Sequence, residues 1–470
     1  MKKQALGEDR VGRLIASLSF PAMTGMMITA LFALIDTFFV SLLGSSALAA
    51  LTFCIPIEVL LTSTGAAAGM GITSLLSRTL GKKNYAEADN IAWHGLMIAV
   101  IYGAFFTWLG LVSLEQLLLI FGCSPAIFTL CRDYLFIILL GSIFSFIPMI
   151  ASHIVQGEGN TRLPMLCNVV AVSLNVLLDP LLIFGPGAFP ALGMRGAALA
   201  TVLSQMISTV VLIYLMFKDK ILLSWKLSHF RPRVSVVAGI YRVGMPSLIM
   251  ELSAVFIMSY LNKVLVGYDH TAVAALGVFF RIRSIFYMPV YGLAQAAMPI
   301  AGFAYGARQP DRVKETIFKT SFLSFIILII AWFIMHNYAR EMIEIFSKDP
   351  VLISMGIDCL HLATLFLPIM GPIIILNNVL QALGKGTAAM YLSLLRQLGI
   401  FLPSLILLPH YFGVKGVWLA FSLTELLSTF VAGIFFINLW KQLQERKRYT
   451  LVMLRRRGYF KNRFLAWLKW

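Results

Sequence analysis

The sequence predicts an all-α integral membrane protein with twelve transmembrane helices, arranged in two pseudo-symmetric six-helix lobes related as parallel repeats. Three observations carry that expectation. Charged residues make up 13% of the 470-residue chain and hydrophobic ones 59%, whereas a soluble protein carries about 25% charged residues. Apolar stretches long enough to cross a bilayer, roughly 20 residues each, recur along the whole chain. Finally, the chain matches itself when shifted by about 225 positions.

The stretches fall at 14–43, 49–75, 91–113, 133–155, 164–185, 196–217, 237–266, 272–302, 316–336, 353–380, 388–409 and 415–440. A mean hydropathy of +0.86 fits that much lipid-facing surface. Pro56, Pro289, Pro299 and Pro403 lie inside these stretches; packed membrane helices tolerate them because neighbouring groups re-satisfy the backbone. The first stretch is too long for a cleavable signal peptide, and residues 1–13 read as a polar lead-in. Cys54, Cys123, Cys131, Cys167 and Cys359 are scattered with no CxxC pair, which argues against a zinc or redox site. Cys123 and Cys131 share a predicted outer loop, where a disulfide is an option.

The formal charge of +17 follows topology, and no nucleic-acid partner is expected. Most lysines and arginines lie in the N-terminal segment, the even-numbered loops and the C-terminal tail. Only Arg132, Arg195, Arg340, Lys348 and Lys415 fall in the odd-numbered loops. That asymmetry places both termini in the cytoplasm, as an even number of spans requires. The implied location is the plasma membrane of a prokaryote.

At the 225-residue shift Pro21 falls on Pro246, Gly81 on Gly306, Asp133 on Asp358, Gln156 on Gln381 and Gly159 on Gly384. Past the fifth span the offset becomes 220, so that Gly193-Met194-Arg195-Gly196 matches Gly413-Val414-Lys415-Gly416. The halves are an N-lobe at 1–220 (spans 1–6) and a C-lobe at 237–440 (spans 7–12). A basic linker at 221–236 joins them, and a basic tail follows at 441–470. In such folds substrate and ions bind near mid-membrane, inside or between the halves.

Ionisable residues within spans are functional candidates because they are costly there, roughly 2.5–3.5 kcal/mol each on insertion scales. The first half offers Asp36, Glu58 and Asp179, with Asn175 one helical turn before Asp179. The second offers Glu251 and Glu425 with Lys263, Arg281, Arg283 and Arg396. Asp36 and Asp179 map onto Leu261 and Ser404, so whatever the two acids do, only one half does it. Two carboxylates close together in low dielectric cannot easily both stay charged, so they suit uptake of H⁺, or of Na⁺ with an Asn carbonyl and a Thr hydroxyl. The alternative is that they only hydrogen-bond to neighbouring helices. Glu58 and Glu425 fit an inter-helix pairing, and Arg281 and Arg283 fit ion pairs or snorkelling.

These residues resemble the MATE (multidrug and toxic compound extrusion) transporters, in particular the prokaryotic DinF-like branch. The resemblance spans about residues 10–440. It rests on Pro21 with Ile35-Asp36-Thr37, Ser77-Arg78-Thr79-Leu80-Gly81, Gln156-Gly157-Glu158-Gly159-Asn160, Asn175-Val176-Leu177-Leu178-Asp179-Pro180 and Gly193-Met194-Arg195-Gly196-Ala197-Ala198. It implies cation-coupled (H⁺ or Na⁺) antiport of cationic or amphipathic compounds by alternating access. By position it implies a cation site at Asp36, Asn175, Asp179 and Thr201, with Na⁺ an option at the first three. It also implies helix bending at Pro21 and a C-lobe acid at Glu251. Arg281, Met26 and Met288 join Glu251 as cavity candidates. The helix-10 acid of the family has no match, since Asp358 lies too near the start of its span.

The expected partners are small lipophilic cations and the lipid bilayer. The expected state is a monomer, with no cofactor beyond the coupling ion and no structural metal. An enzyme is not expected: the seven histidines are dispersed, and HExxH, GxSxG and GxxxxGK[ST] are all missing. The alternative function is a lipid-linked oligosaccharide flippase of related architecture, whose cavity would use Arg281, Arg283 and Arg396 to grip pyrophosphate. The tail, with Arg455-Arg456-Arg457, Phe460, Phe464, Trp467 and Trp470, suits either an interfacial helix on anionic lipid or a solvated basic extension.

Overall fold

A computed structural model describes residues 6–186, 190–218 and 222–467, without the side chains of residues 33, 34, 270 and 449–467. Among the described residues the chain is helical and has no strand. The N-lobe contains α1 (Val11–Ser41), α2 (Ser45–Gly81), α3 (Tyr85–Ile120), α4 (Pro125–Leu140), α5 (Ser142–Gly157), α6 (Arg162–Phe184) and α7 (Met194–Lys218). The C-lobe contains α8 (Val234–Val266), α9 (His270–Gly306), α10 (Pro310–Asn337), the short α11 (Ala339–Glu344), α12 (Pro350–Ala363), α13 (Leu367–Ala382), α14 (Gly386–Leu394), α15 (Leu402–Phe412) and α16 (Val414–Trp467).

Ten spans are long and apolar enough to cross a bilayer unaided, and two bent pairs complete the twelve. The stretches expected at 133–155 and 353–380 are these pairs: α4 meets α5 at 51° and α12 meets α13 at 57°. The bends fall at equivalent positions, Gly141 and Phe366. At Gly141 a Cβ would lie 2.5 Å from Val202, so only glycine lets α7 come this close. At the second bend Pro368 lies at the start of α13, where its missing N–H is tolerated. The eleventh span runs α14–α15 through a π-helical turn, Leu395–Phe401, just before Pro403.

Two ion pairs display the repeat directly. Arg195 Nη2 lies 2.9 Å from Asp133 Oδ1, and Lys415 Nζ lies 3.0 Å from Asp358 Oδ2. Half-exposed pairs of this kind contribute little stability; their value is that both partners repeat at the sequence offsets. Asp358 is thus committed to the rim of its lobe.

The lobes close against each other on the face that carries the basic even-numbered loops. A Cβ on Gly81 would lie 2.1 Å from the Phe303 carbonyl oxygen, and one on Gly306 would lie 2.0 Å from that of Arg78. These contacts are reciprocal, since 78 and 81 are the repeat equivalents of 303 and 306. Gly71 meets the Ile240 carbonyl at 2.1 Å, and Ser74 Oγ donates to the Gln381 carbonyl at 2.6 Å. The contact extends up α1 to Gly292, whose Cβ would lie 2.5 Å from Met23, and to Gln295, which donates to Met26 Sδ at 3.5 Å. α1 runs through Pro21 as one helix.

The linker is strapped to the N-lobe. Buried Asp89 accepts from Ser224 N (2.9 Å), Trp225 N (3.3 Å), His229 Nδ1 (2.6 Å) and the Ser224 hydroxyl. Glu158 Oε1 accepts from Leu222 N (3.0 Å) and Leu223 N (2.8 Å), and Asn90 Oδ1 from Arg231 N (3.0 Å). These acceptors satisfy backbone N–H groups on either side of the single 3₁₀ turn, Leu227–His229, that the described linker contains.

Two open points, the cysteines and the tail, are described by the structure. All five cysteines are buried free thiols. Cys131 lies within α4 and points at the Ala50 carbonyl at 3.7 Å, so no Cys123–Cys131 disulfide forms. No boundary separates the last span from the tail either: α16 continues to Trp467, with no proline and no glycine between Gly433 and Gly458 to stop it. The tail side chains named above lie outside the described residues.

Candidate functional site

The acids of the N-lobe converge beyond the sealed contact. Asp36 lies ten residues past Met26 on α1, about 15 Å further along the helix. α6 brings Asn175 and Asp179 to the same depth, both buried, one turn apart on one face. With the Asn175 amide oriented to satisfy its neighbours, its nitrogen donates to Asp179 Oδ2 at 2.8 Å. Its oxygen accepts from Thr201 Oγ1 at 3.3 Å and from Thr201 N at 3.2 Å. Asp36 is in electrostatic contact with Asp179, and its Oδ1 is buried with no hydrogen-bond partner. The structure therefore brings Asp36, Asn175, Asp179 and Thr201 together.

Sequence reasoning named Glu58 but assigned it to an inter-helix pairing outside this cluster, and it did not single out Tyr134. Glu58 of α2 faces Asp36, and the Tyr134 hydroxyl of α4 is set against Glu58. Three carboxylates thus share one recess with no lysine or arginine among them. The only signal in the sequence was Glu58 itself, and its distance from Asp36 along the chain hid the contact.

The remaining candidates are dispersed. Glu251 is exposed on α8, with no charged neighbour acting on it. Met26 belongs to the contact between lobes. Met288 is half-buried on α9, and Arg281 is exposed on that helix. Pro21 is buried in α1 just before the tight Gly292 contact. The repeat partners of the two aspartates carry no chemistry: Leu261 is core, and Ser404 bonds back to the Ile400 carbonyl at 2.7 Å.

Such a cluster of acids in one lobe, facing a closed seam between two repeated lobes, is the layout of a transporter. The MatE family profile matches the chain twice, over residues 21–181 and 246–405. The chain belongs to the MATE family. Its members are transporters and not enzymes, and the two matched stretches start at the two equivalent prolines. The chain is 30% identical over 421 residues to an FAD transporter of Shewanella oneidensis, covering 89% of this chain and 92% of that one. It is 25% identical over 418 residues to the multidrug export protein MepA of Staphylococcus aureus, covering 88% and 91%. Among solved structures it resembles an outward-facing multidrug resistance MATE transporter (TM-score 0.89, 26% identity, 95% of this chain and 99% of that one). It also resembles a Pyrococcus furiosus transporter of the MOP superfamily described as having a binding pocket of reverse polarity (TM-score 0.88, 26% identity, 95% and 99%).

Proposed function

We propose that this MATE transporter is a cation-coupled antiporter of a prokaryotic plasma membrane, exporting amphipathic organic compounds, lipophilic cations among them. The coupling site is the recess holding Asp36, Asn175, Asp179 and Thr201. The basic loops support a cytoplasmic position for both termini and for the closed seam, and hence lobes shut inwards. The observation that carries the reading is the bridge from Asp179 through Asn175 to Thr201 beside the unpartnered Asp36 oxygen.

H⁺ is the favoured coupling ion. The Asn175 nitrogen faces Asp179 and its oxygen faces Thr201, so the amide offers no oxygen to a cation seated on Asp179. Na⁺ would require the amide to turn over, giving up its bond to Asp179 while its nitrogen donates to Thr201 Oγ1 at 3.3 Å. Uptake of a proton by the acids would relieve their mutual repulsion. α1, which carries Asp36 and crosses the seam below it, would then shift about Pro21 and change the cavity. Ion and substrate are linked through this helix and need not share atoms.

The test is transport by purified protein in liposomes, with H⁺ and Na⁺ gradients imposed separately. Efflux of a cationic dye driven by a pH gradient alone supports the reading. Efflux driven only by Na⁺ assigns the other ion, and dye movement indifferent to both gradients overturns coupling. A second reading of the substrate is that it bears phosphate. The FAD transporter relative favours it, and so do the basic residues of the C-lobe.

A further inference from the structure

The two lobes carry opposite charge at the same place in the repeat. Glu58 and Arg283 are equivalent at the 225-residue offset, and so are their neighbours Tyr134 and Cys359. The recess that holds three acids in the N-lobe therefore has a basic counterpart in the C-lobe. We infer that Arg283 and Arg396, with Tyr287 and Glu425, form a binding site for the phosphate group of an organic substrate.

Arg283 is set among aromatic rings. Its guanidinium carbon lies 4.9 Å from the centre of the Phe280 ring, 4.8 Å from Tyr287 and 5.6 Å from Phe279. Attraction to ring faces is electrostatic and does not use up N–H donors as a carboxylate partner would. Among the described residues no carboxylate comes within 4.0 Å of either Arg283 or Arg396. The polar contact made by Arg396 is a weak one, to Met370 Sδ at 3.8 Å. It is displayed from the π-helical turn, a distortion common at functional sites.

Both guanidiniums act electrostatically on Glu425 and Tyr287. Glu425 is 6% exposed and Tyr287 5%; the Tyr287 hydroxyl is set against the Glu425 carboxylate, yet neither Glu425 Oε2 nor that hydroxyl completes a hydrogen bond. A purely structural cluster would have closed into an Arg–Glu pair, since buried polar groups are costly when left unsatisfied. Here one acid faces two guanidiniums and pairs with neither. That leaves one positive charge in excess and a set of free donors, the complement of a phosphate oxyanion.

The inference rests on the exporter reading only for the direction of transport; binding is separable. A soluble phosphate ester and the phosphate of a lipid headgroup share this chemistry. The test uses riboflavin 5′-phosphate and riboflavin, which differ by one phosphate. Their Kd values are measured by flavin fluorescence on purified protein in nanodiscs of phosphatidylcholine, with and without phosphatidylglycerol. The expected result is at least tenfold tighter binding of the phosphate ester. That ratio should fall below threefold in Arg283→Gln and in Arg396→Gln, recover in part in Arg396→Lys, and stay intact in Lys348→Gln at an exposed rim site. Weakening of the ester by phosphatidylglycerol in the parent but not in Arg283→Gln would assign the site to lipid phosphate. Equal Kd values for the two flavins with no lipid effect, or a ratio that survives both Arg→Gln changes, would overturn it. Gradient-driven dye efflux, measured on the parent protein, reports separately on the exporter reading.

Discussion

Asn175 ties Asp179 to Thr201, with 2.8 Å on one side and 3.3 Å on the other, and so fixes the carboxylate that faces Asp36. On the proposed coupling role the two acids act as one unit, and removing the charge of either would leave the cluster unable to cycle. Asp36→Asn and Asp179→Asn should each lower gradient-driven efflux at least tenfold, with expression and folding preserved. The double variant should be little worse than either single, because coupled residues are not additive. Normal efflux in both singles, with activity lost instead in Glu251→Gln, would move coupling to the C-lobe.

Thr201 holds the other end of the bridge through two donors, its hydroxyl and its own N–H at 3.2 Å. Thr201→Ala deletes only the first. Efflux should therefore drop about two- to tenfold, as for a lost neutral hydrogen bond of roughly 0.5–1.5 kcal/mol. Thr201→Val, similar in shape but without the hydroxyl, should match Ala. A loss as deep as in Asp179→Asn would mean that the hydroxyl contacts the ion itself.

Twelve spans and the duplication were legible because each leaves a local or periodic trace; Asp36, Asn175 and Asp179 stood out as polar residues within spans, and Thr201 joined them only through the family resemblance. Hydropathy marks spans, and the offset of Gly81 and Gly306 marks repeats. The bends at Gly141 and Phe366 were not legible, since a bent pair and a straight span share one hydropathy profile. Nor were the placement of Glu58 and the surroundings of Arg283 and Arg396. Which residues meet across helices depends on rotation about helix axes, and a helix packed on all sides has too weak an apolar periodicity to reveal that rotation. The linker read as merely basic because its anchors, Asp89 and Glu158, lie in distant parts of the chain.

The seam depends on glycine. A Cβ at Gly71 would lie 2.1 Å from the Ile240 carbonyl oxygen, whereas one at Gly277 meets nothing within 4 Å. Gly71→Ala should therefore hold the lobes apart at the basic face. In a cysteine-free background carrying Ser74→Cys, buried in the seam, a membrane-impermeant thiol reagent applied from that face should label the Gly71→Ala protein several-fold faster. Efflux should fall at least tenfold, while Gly277→Ala should behave like the parent. Unchanged labelling and efflux in Gly71→Ala would show that the seam is not a moving part.

Glu158 sets a pH dependence for the docked linker. Burial pushes its carboxyl up to about 7 from the ordinary 4.5; nearby Asp89 adds to the rise, and the Leu222 and Leu223 N–H groups oppose it. The folded protein thus holds this proton more tightly than the unfolded chain. Its contribution to stability is fully present below about pH 4.5 and is lost as pH rises through about 7. The loss is on the order of 3 kcal/mol by pH 8. Glu158→Gln keeps an acceptor for the two N–H groups and removes both the charge and its repulsion with Asp89. Thermal unfolding should show the variant and the parent alike near pH 4.5 and the variant more stable by a few degrees at pH 8. The parent should lose stability between those values more steeply than the variant. Parallel pH profiles for the two proteins would show that Glu158 stays in one protonation state throughout.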